Sequence, residues 1–169
     1  MKSLDPYFKE AEKSKFGLWK LNLILWRIIP FNFPHRFKII QLDSEGIEVM
    51  MPFIRKNLNH IRGLHATGLA TLCEYICGLQ LIRLNPTNDY RIILKTLRME
   101  YRFQAKMEVR VHFKLSPDWF KENISKPLET KDSIVHTFEI EVFDADKNLI
   151  CIAYPEWQIK PWAKVKTKV

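Results

Sequence analysis

Several devices that small chains use to brace or anchor themselves are missing from these 169 residues. Cysteine occurs three times, as Cys73, Cys77 and Cys151, an odd number without a paired C-x-x-C spacing. That argues against a disulfide framework and against a structural zinc site, and it suits a reducing cytoplasm. No apolar run reaches the roughly 20 residues that a bilayer crossing needs. The best candidate, residues 16–33, is interrupted by Lys20, Asn22 and Arg27 and ended by Pro30. The opening MKSLDPYFKE is polar and carries acids, unlike a secretory signal. Pro, Gly and Ser do not gather into a linker, there is no repeat, and the G-x-S-x-G of a serine nucleophile elbow is absent.

Acids are also in the minority, 19 against 27 Lys plus Arg, for a net charge of +8. The balance favours an anionic partner: nucleic acid, a membrane surface or a phosphate-bearing small molecule. At 47% hydrophobic and 12% aromatic the chain can close one sizeable core, so a single domain over residues 1–169 is expected.

The periodicity predicts an α+β fold. Residues 10–29 read as a helix within an N-terminal extension, residues 1–33. FKIIQLD and IEVMMPF, parted by SEG, read as a hairpin. Residues 64–84 form the longest helical candidate, stopped by Asn85 and Pro86. In KTLRMEYRFQ, Leu97, Met99, Tyr101 and Phe103 alternate with polar residues, and MEVRVHFK repeats the pattern, so both read as half-buried strands with those apolar residues inside. PDWFKEN suggests a short helical turn. SIVHTFEIEVF and LICIAYPEWQI, joined by DADKN, read as two closing strands.

The central helix carries one acid. On a helix, Glu74 has only small neighbours three and four residues away, Ala70, Thr71, Cys77 and Gly78. A carboxylate beside such a groove is costly to bury unless it is hydrogen-bonded, neutralised or put to use. The plain alternative is a structural Glu bonded to a backbone amide or a Tyr. Upstream, Asn57, Asn59, His60, Arg62 and His65 crowd the helix N-terminus, where free N–H groups and the dipole favour developing negative charge. Oxyanion holes are built this way. A lone histidine there more often caps or packs, and Cys73 and Cys77, four apart on an apolar helix, read as core fillers.

Asn59, His65 at a helix start, the small Ala66 and an acid nine positions after the histidine resemble the hot-dog-fold thioesterases of the phenylacetate-pathway and 4-hydroxybenzoyl-CoA type. RKNLNHIRGLHATGLATLCEYICGL resembles an uncharacterised bacterial branch of that superfamily. The order of elements matches over residues 37–159. The resemblance implies a curved antiparallel sheet of about six strands wrapped around one long helix, with an extra N-terminal helix. It also implies a homodimer or a tetramer, and an acyl-CoA or acyl-carrier-protein thioester bound at the interface. Carried over, Ala66 N–H and the Asn59 side chain polarise the thioester carbonyl, and Glu74 acts as nucleophile or as base for water. His65 belongs to the same constellation. Coenzyme A enters only as part of the substrate. No other cofactor and no metal is expected.

Ala66 and Glu74 are eight residues apart, about 12 Å of helix rise, too far to serve one carbonyl from one chain. Glu74 therefore acts from the partner chain or not at all. Some of Arg55, Lys56, Arg62, Arg91, Arg102 and Lys106 are candidates to hold the coenzyme A phosphates, Arg62, Arg102 and Lys106 first among them, the alternative being solvated strand faces. Nucleic acid ranks low, because Tyr101 and Phe103 alternate inward. One local signal opposes the resemblance: a turn at 104–106 pairs Arg102 with Glu108 and Glu100 with Arg110, whereas the hot-dog order sends that strand to the sheet edge. We follow the hot-dog order. The N-terminal helix, with Trp19, Leu23, Trp26 and Ile29, is expected to cross the sheet or lid an acyl tunnel, membrane-surface contact being the lesser alternative. The two rival functions are a non-catalytic acyl-ligand binder and a hot-dog hydratase or dehydratase.

Overall fold

The computed structural model describes residues 4–166; residues 1–3 and 167–169 of the expected domain lie outside the described residues. Two helices open the chain, α1 (Asp5–Lys13) and α2 (Lys15–Ile28). The hairpin β1 (Lys38–Leu42) and β2 (Gly46–Met51) follows, then α3 (Ala66–Arg83). After it come β3 (Tyr90–Tyr101), β4 (Val109–Lys114), a helical segment, β5 (Ile134–Thr137), β6 (Ile140–Asp144) and β7 (Leu149–Pro161). The strands form one antiparallel sheet in the order β1-β2-β4-β6-β7-β3, with β5 also pairing β7. α3 packs against β2, β3, β4 and β7, and the curved sheet wraps it. This is the hot-dog arrangement.

The wrapping explains why α3 is apolar on nearly every side. Leu69, Leu72, Cys73, Tyr75, Ile76, Cys77, Leu79 and Leu81 are all buried, a composition that would be insoluble on a surface helix. The helix ends polar. Gln80 Nε2 donates to Leu115 O at 2.7 Å, and Arg83 reaches Glu12 of α1 and the carbonyls of Asp43 and Gly46. These bonds tie α1, α3 and the β1–β2 turn into one corner.

Four expectations need correction. First, residues 10–29 are not one helix. Ser14 is extended and its hydroxyl accepts from Gly17 N–H at 3.0 Å, a local N-cap that restarts the helix at a new angle. Gly17 permits the corner, since a Cβ there would sit 2.3 Å from Glu10 O. Second, the turn at PDWFKEN is part of a longer helical segment, α4 (Pro117–Phe120), a wider π turn at Lys121–Ser125 and α5 (Lys126–Thr130). Ser116 caps it by accepting from Trp119 N–H, and Phe120, Ile124 and Leu128, four apart, are its buried stripe.

Third, residues 133–143 make two strands, so the sheet has seven strands where about six were expected. The chain breaks at Phe138, whose ring is buried against Phe113 and Trp119. Fourth, Tyr101 and Phe103 are not covered: they are 48% and 58% exposed, because β3 is an edge strand that ends at Tyr101 and has no further strand beside it. The burial of these aromatics invoked against nucleic acid therefore fails.

The competing hairpin does not form. β3 runs beside β7 in a register from Tyr90 opposite Pro161 to Tyr101 opposite Cys151, and β4 lies between β2 and β6. Glu100 instead pairs with Arg98 on its own strand and with Arg102 just past its end, and Glu108 with Arg110 at 2.9 Å.

Candidate functional site

The chain entering α3 is anchored from below. Asn57 is buried, and its Nδ2 donates to the carbonyls of His35 and Pro52, each at 2.9 Å, while its own carbonyl accepts from His65 N–H at 2.8 Å. Asn59 closes the next turn. Its Oδ1 accepts from Ile61 N–H at 3.1 Å and Gly63 N–H at 3.0 Å, and its Nδ2 lies 3.5 Å from Leu64 O. Arg62 completes that turn in the left-handed region, φ 58°. His65 is the N-cap of α3, with Nδ1 accepting from Thr67 N–H at 3.2 Å and lying 2.7 Å from Thr67 Oγ1. The Ala66 N–H, first in the helix, has no acceptor among the described residues. It opens on a groove of about 300 Å³ lined by Asn59, Leu64, Ala66, Leu69, Tyr101 and Arg102 among others. Such a free N–H at a helix start suits a negatively charged oxygen.

Glu74 lies two turns further along α3 and in a different cavity. This pocket, about 220 Å³, is walled by Ile29 and Asn32 from the segment after α2, by Tyr75, Gly78, Leu79 and Ile82 of α3, and by Ile92 and Trp157 of the sheet. The Glu74 carboxylate has no hydrogen-bond or ion-pair partner among the described residues, and burial pushes its pKa up. The bond to a backbone amide or a Tyr that a structural Glu would make is absent. Gly78 is required beside it: a Cβ would come within 2.9 Å of the Trp157 ring.

The two cavities open along one stripe. Ala66 and Thr67 are exposed, Ala70, Thr71 and Glu74 are half-buried, and Ile82 is exposed, while the remaining sides of α3 from Gly68 to Leu81 are covered. At 100° per residue Thr67, Ala70, Thr71, Glu74, Gly78 and Ile82 share one face. The sheet leaves that face open beside β3.

Of the basic candidates, Arg62, Arg102 and Lys106 are exposed on two loops that meet at the groove. Leu64 N–H donates to Ala105 O at 2.9 Å and Gln104 Nε2 to Ile61 O at 3.5 Å. Arg91 is set apart, ten residues up β3 from Tyr101, roughly 33 Å away; its Nη2 donates to Gln158 Oε1 at 3.5 Å. All three cysteines are free and buried, and burial pushes the Cys77 thiol up, away from reactivity. Among the described residues no group of three or more His, Cys, Asp or Glu is placed to hold a metal ion.

Sequence reasoning missed Tyr101, whose hydroxyl donates to Ala66 O at 2.8 Å and so braces the helix start. It also missed Asn32, Ile92 and Trp157 around Glu74. A hydroxyl tip on a residue placed inside was the one available signal for Tyr101; the others are joined to Glu74 only by the fold. A wider cleft of about 530 Å³ at Trp119, His136 and Phe138 contains neither the helix start nor Glu74.

The model of one family, a domain of unknown function (DUF4442), matches residues 17–159. The chain belongs to that family. No curated protein matches it in sequence. Solved structures do match the DUF4442 chain. PA5026 of Pseudomonas aeruginosa, a protein of unknown function also named a "probable thioesterase", superposes with a TM-score of 0.77 at 19% identity, over 85% of this chain and 95% of that one. Thioesterase HI1161 of Haemophilus influenzae gives 0.63 at 12% identity, over 89% and 95%. A mutant of thioesterase SAV0944 from Staphylococcus aureus gives 0.61 at 17% identity, over 78% and 99%. At these identities the likeness is one of fold.

Proposed function

We propose that the chain is an acyl-CoA thioesterase working as a homodimer, its site completed between two protomers. One observation carries the reading: an unpaired, desolvated Glu74 and a free helix-start N–H lie on the same uncovered stripe of α3 but in separate cavities. A second copy laid along that stripe and along the open β3 edge brings Glu74 of one protomer over the groove of the other. The names of the fold neighbours point the same way.

In this reading the thioester carbonyl oxygen sits at Ala66 N–H, with the second amide hydrogen of Asn59 Nδ2 as a further donor. His65 and Tyr101 hold the helix start in place. Glu74 takes a proton from water, the resulting hydroxide adds to the carbonyl carbon, and the C–S bond breaks as the tetrahedral oxyanion collapses. The thiolate leaves with the proton that Glu74 held. A carboxyl poised upward by burial suits both halves of that exchange. Arg62, Arg102 and Lys106 around the mouth meet the phosphates of coenzyme A, or the phosphate arm of an acyl carrier protein.

A second reading, a non-catalytic acyl-ligand binder, is favoured by the commitment of Asn59 to its own turn. Thiol release from short, medium, long and aromatic acyl-CoAs separates the two. The wild type should turn over at least one substrate, and Glu74→Gln, still folded and dimeric, should lose a factor of about 10² to 10⁴. If neither releases thiol while acyl-CoA raises the melting temperature of both, the protein is a binder.

A further inference from the structure

The outer face of α2 is neither core nor part of the α3 stripe. Leu21, Asn22 and Leu25 bury its inner face against β1, the sheet edge opposite β3. At 100° per residue, Lys15, Trp26, Trp19, Leu23, Phe16, Arg27 and Lys20 follow one another across an outward arc of about 140°. In its middle Phe16, Trp19 and Leu23 are 66%, 55% and 41% exposed, with the Phe16 and Trp19 rings stacked at 5.6 Å. Just past the helix Phe31 is 71% exposed.

The flanks of the stripe are basic. α2 contains Lys15, Lys20 and Arg27 and no acid; Lys20 pairs with Glu10 at 2.8 Å, and Lys15 and Arg27 are exposed. An apolar, aromatic stripe bordered by cations, on a chain of net charge +8, is the pattern of a helix that lies in a membrane interface. At 14 residues, about 21 Å, it is too short to cross the bilayer.

We propose that α2 docks the protein on a membrane surface carrying anionic lipid. Phe16, Trp19 and Leu23 enter the boundary between headgroups and acyl chains, and Lys15 and Arg27 meet lipid phosphates. The charge pattern selects a lipid surface over a second copy of this chain, whose matching face would set cation against cation. The inference is independent of the thioesterase reading, because binding is read without turnover.

The test is co-sedimentation of the full chain with vesicles of phosphatidylcholine alone and of phosphatidylcholine and phosphatidylglycerol in equal parts, with light scattering on the same samples before lipid is added. The mixed vesicles should bind the protein and the neutral ones far more weakly. Phe16→Ser, Trp19→Gln and Leu23→Gln together should lower partitioning about 100-fold, with the melting temperature retained because all three are exposed. Lys15→Gln with Arg27→Gln should lower it about 30-fold and weaken its dependence on salt. No sedimentation of the wild type with either vesicle, or equal binding by wild type and both variants, overturns the proposal. So does a triple variant that changes oligomeric state in solution while the wild type ignores lipid, which would make the stripe a protein interface.

Discussion

At one end of the sheet β1 is plugged, and at the other β3 is bare. Along β1, the Asn22 side chain of α2 imitates a neighbouring strand: its Oδ1 accepts from Ile39 N–H at 2.8 Å and its Nδ2 donates to Ile39 O at 3.0 Å. Trp26 Nε1 adds a bond to Phe37 O at 2.7 Å. Along β3, twelve residues present their outer backbone edge with no further strand, and the side chains are half-buried or exposed from end to end. A long uncovered edge is a pairing template. The contrast teaches that one edge is closed within the chain while the other stays open, and that the open edge runs beside the stripe holding Glu74 and Ala66.

The comparison can be broken hardest at its closed end. Asn22→Leu keeps the side chain's size but strands the buried N–H and carbonyl of Ile39, and should cost about 2–4 kcal/mol, read by urea unfolding. A variant that also associates further would show that the plug prevents edge pairing, whereas unchanged stability would remove Asn22 from that role. At the open end, Ile93→Lys with Thr96→Lys sets like charges along an exposed edge. It should weaken the proposed dimer by at least about tenfold, with little loss of protomer stability. Sedimentation equilibrium reads the association and urea unfolding the protomer stability, and a dimer indifferent to the lysines places its interface elsewhere.

The smallest effect sharpens the contrast through pH. Burial without a partner raises the Glu74 carboxyl above its ordinary 4.5. Between the ordinary and raised values the folded protein holds a proton that the unfolded chain has lost, so this group lowers stability as pH rises through that window and by a constant amount above it. Glu74→Gln removes the penalty. The variant should melt slightly higher than wild type near neutral pH, and the gap should close below about 4.5. A gap that persists in acid would mean that charge is not its cause.

Much of this was legible along the chain. Alternation in MEVRVHFK and the unbroken apolar run ended by Asn85 and Pro86 locate β4 and α3, because period and stop signals are local. The His65 cap and the stripe of small residues around Glu74 were readable too. The corner at Ser14 could have been read from Ser–Lys–Phe–Gly, and α5 from Phe120, Ile124 and Leu128. The exposure of Tyr101 and Phe103 could not, since alternation says which residues share a face and not whether that face is covered. Charge spacing suggested a β3–β4 hairpin that the sheet order excludes, since exposed ion pairs contribute too little to choose a topology.

By itself the sequence determined the element types, the apolar central helix, its single acid and the polar approach to its N-terminus, since these follow from period, composition and capping within a few residues. Only the tertiary structure decided that β3 pairs β7, that Asn22 closes one edge while the other stays open, and that Glu74 and Ala66 occupy separate cavities on one stripe. Those outcomes depend on which distant segments share a core, and packing between residues far apart in the chain leaves no periodic trace in it.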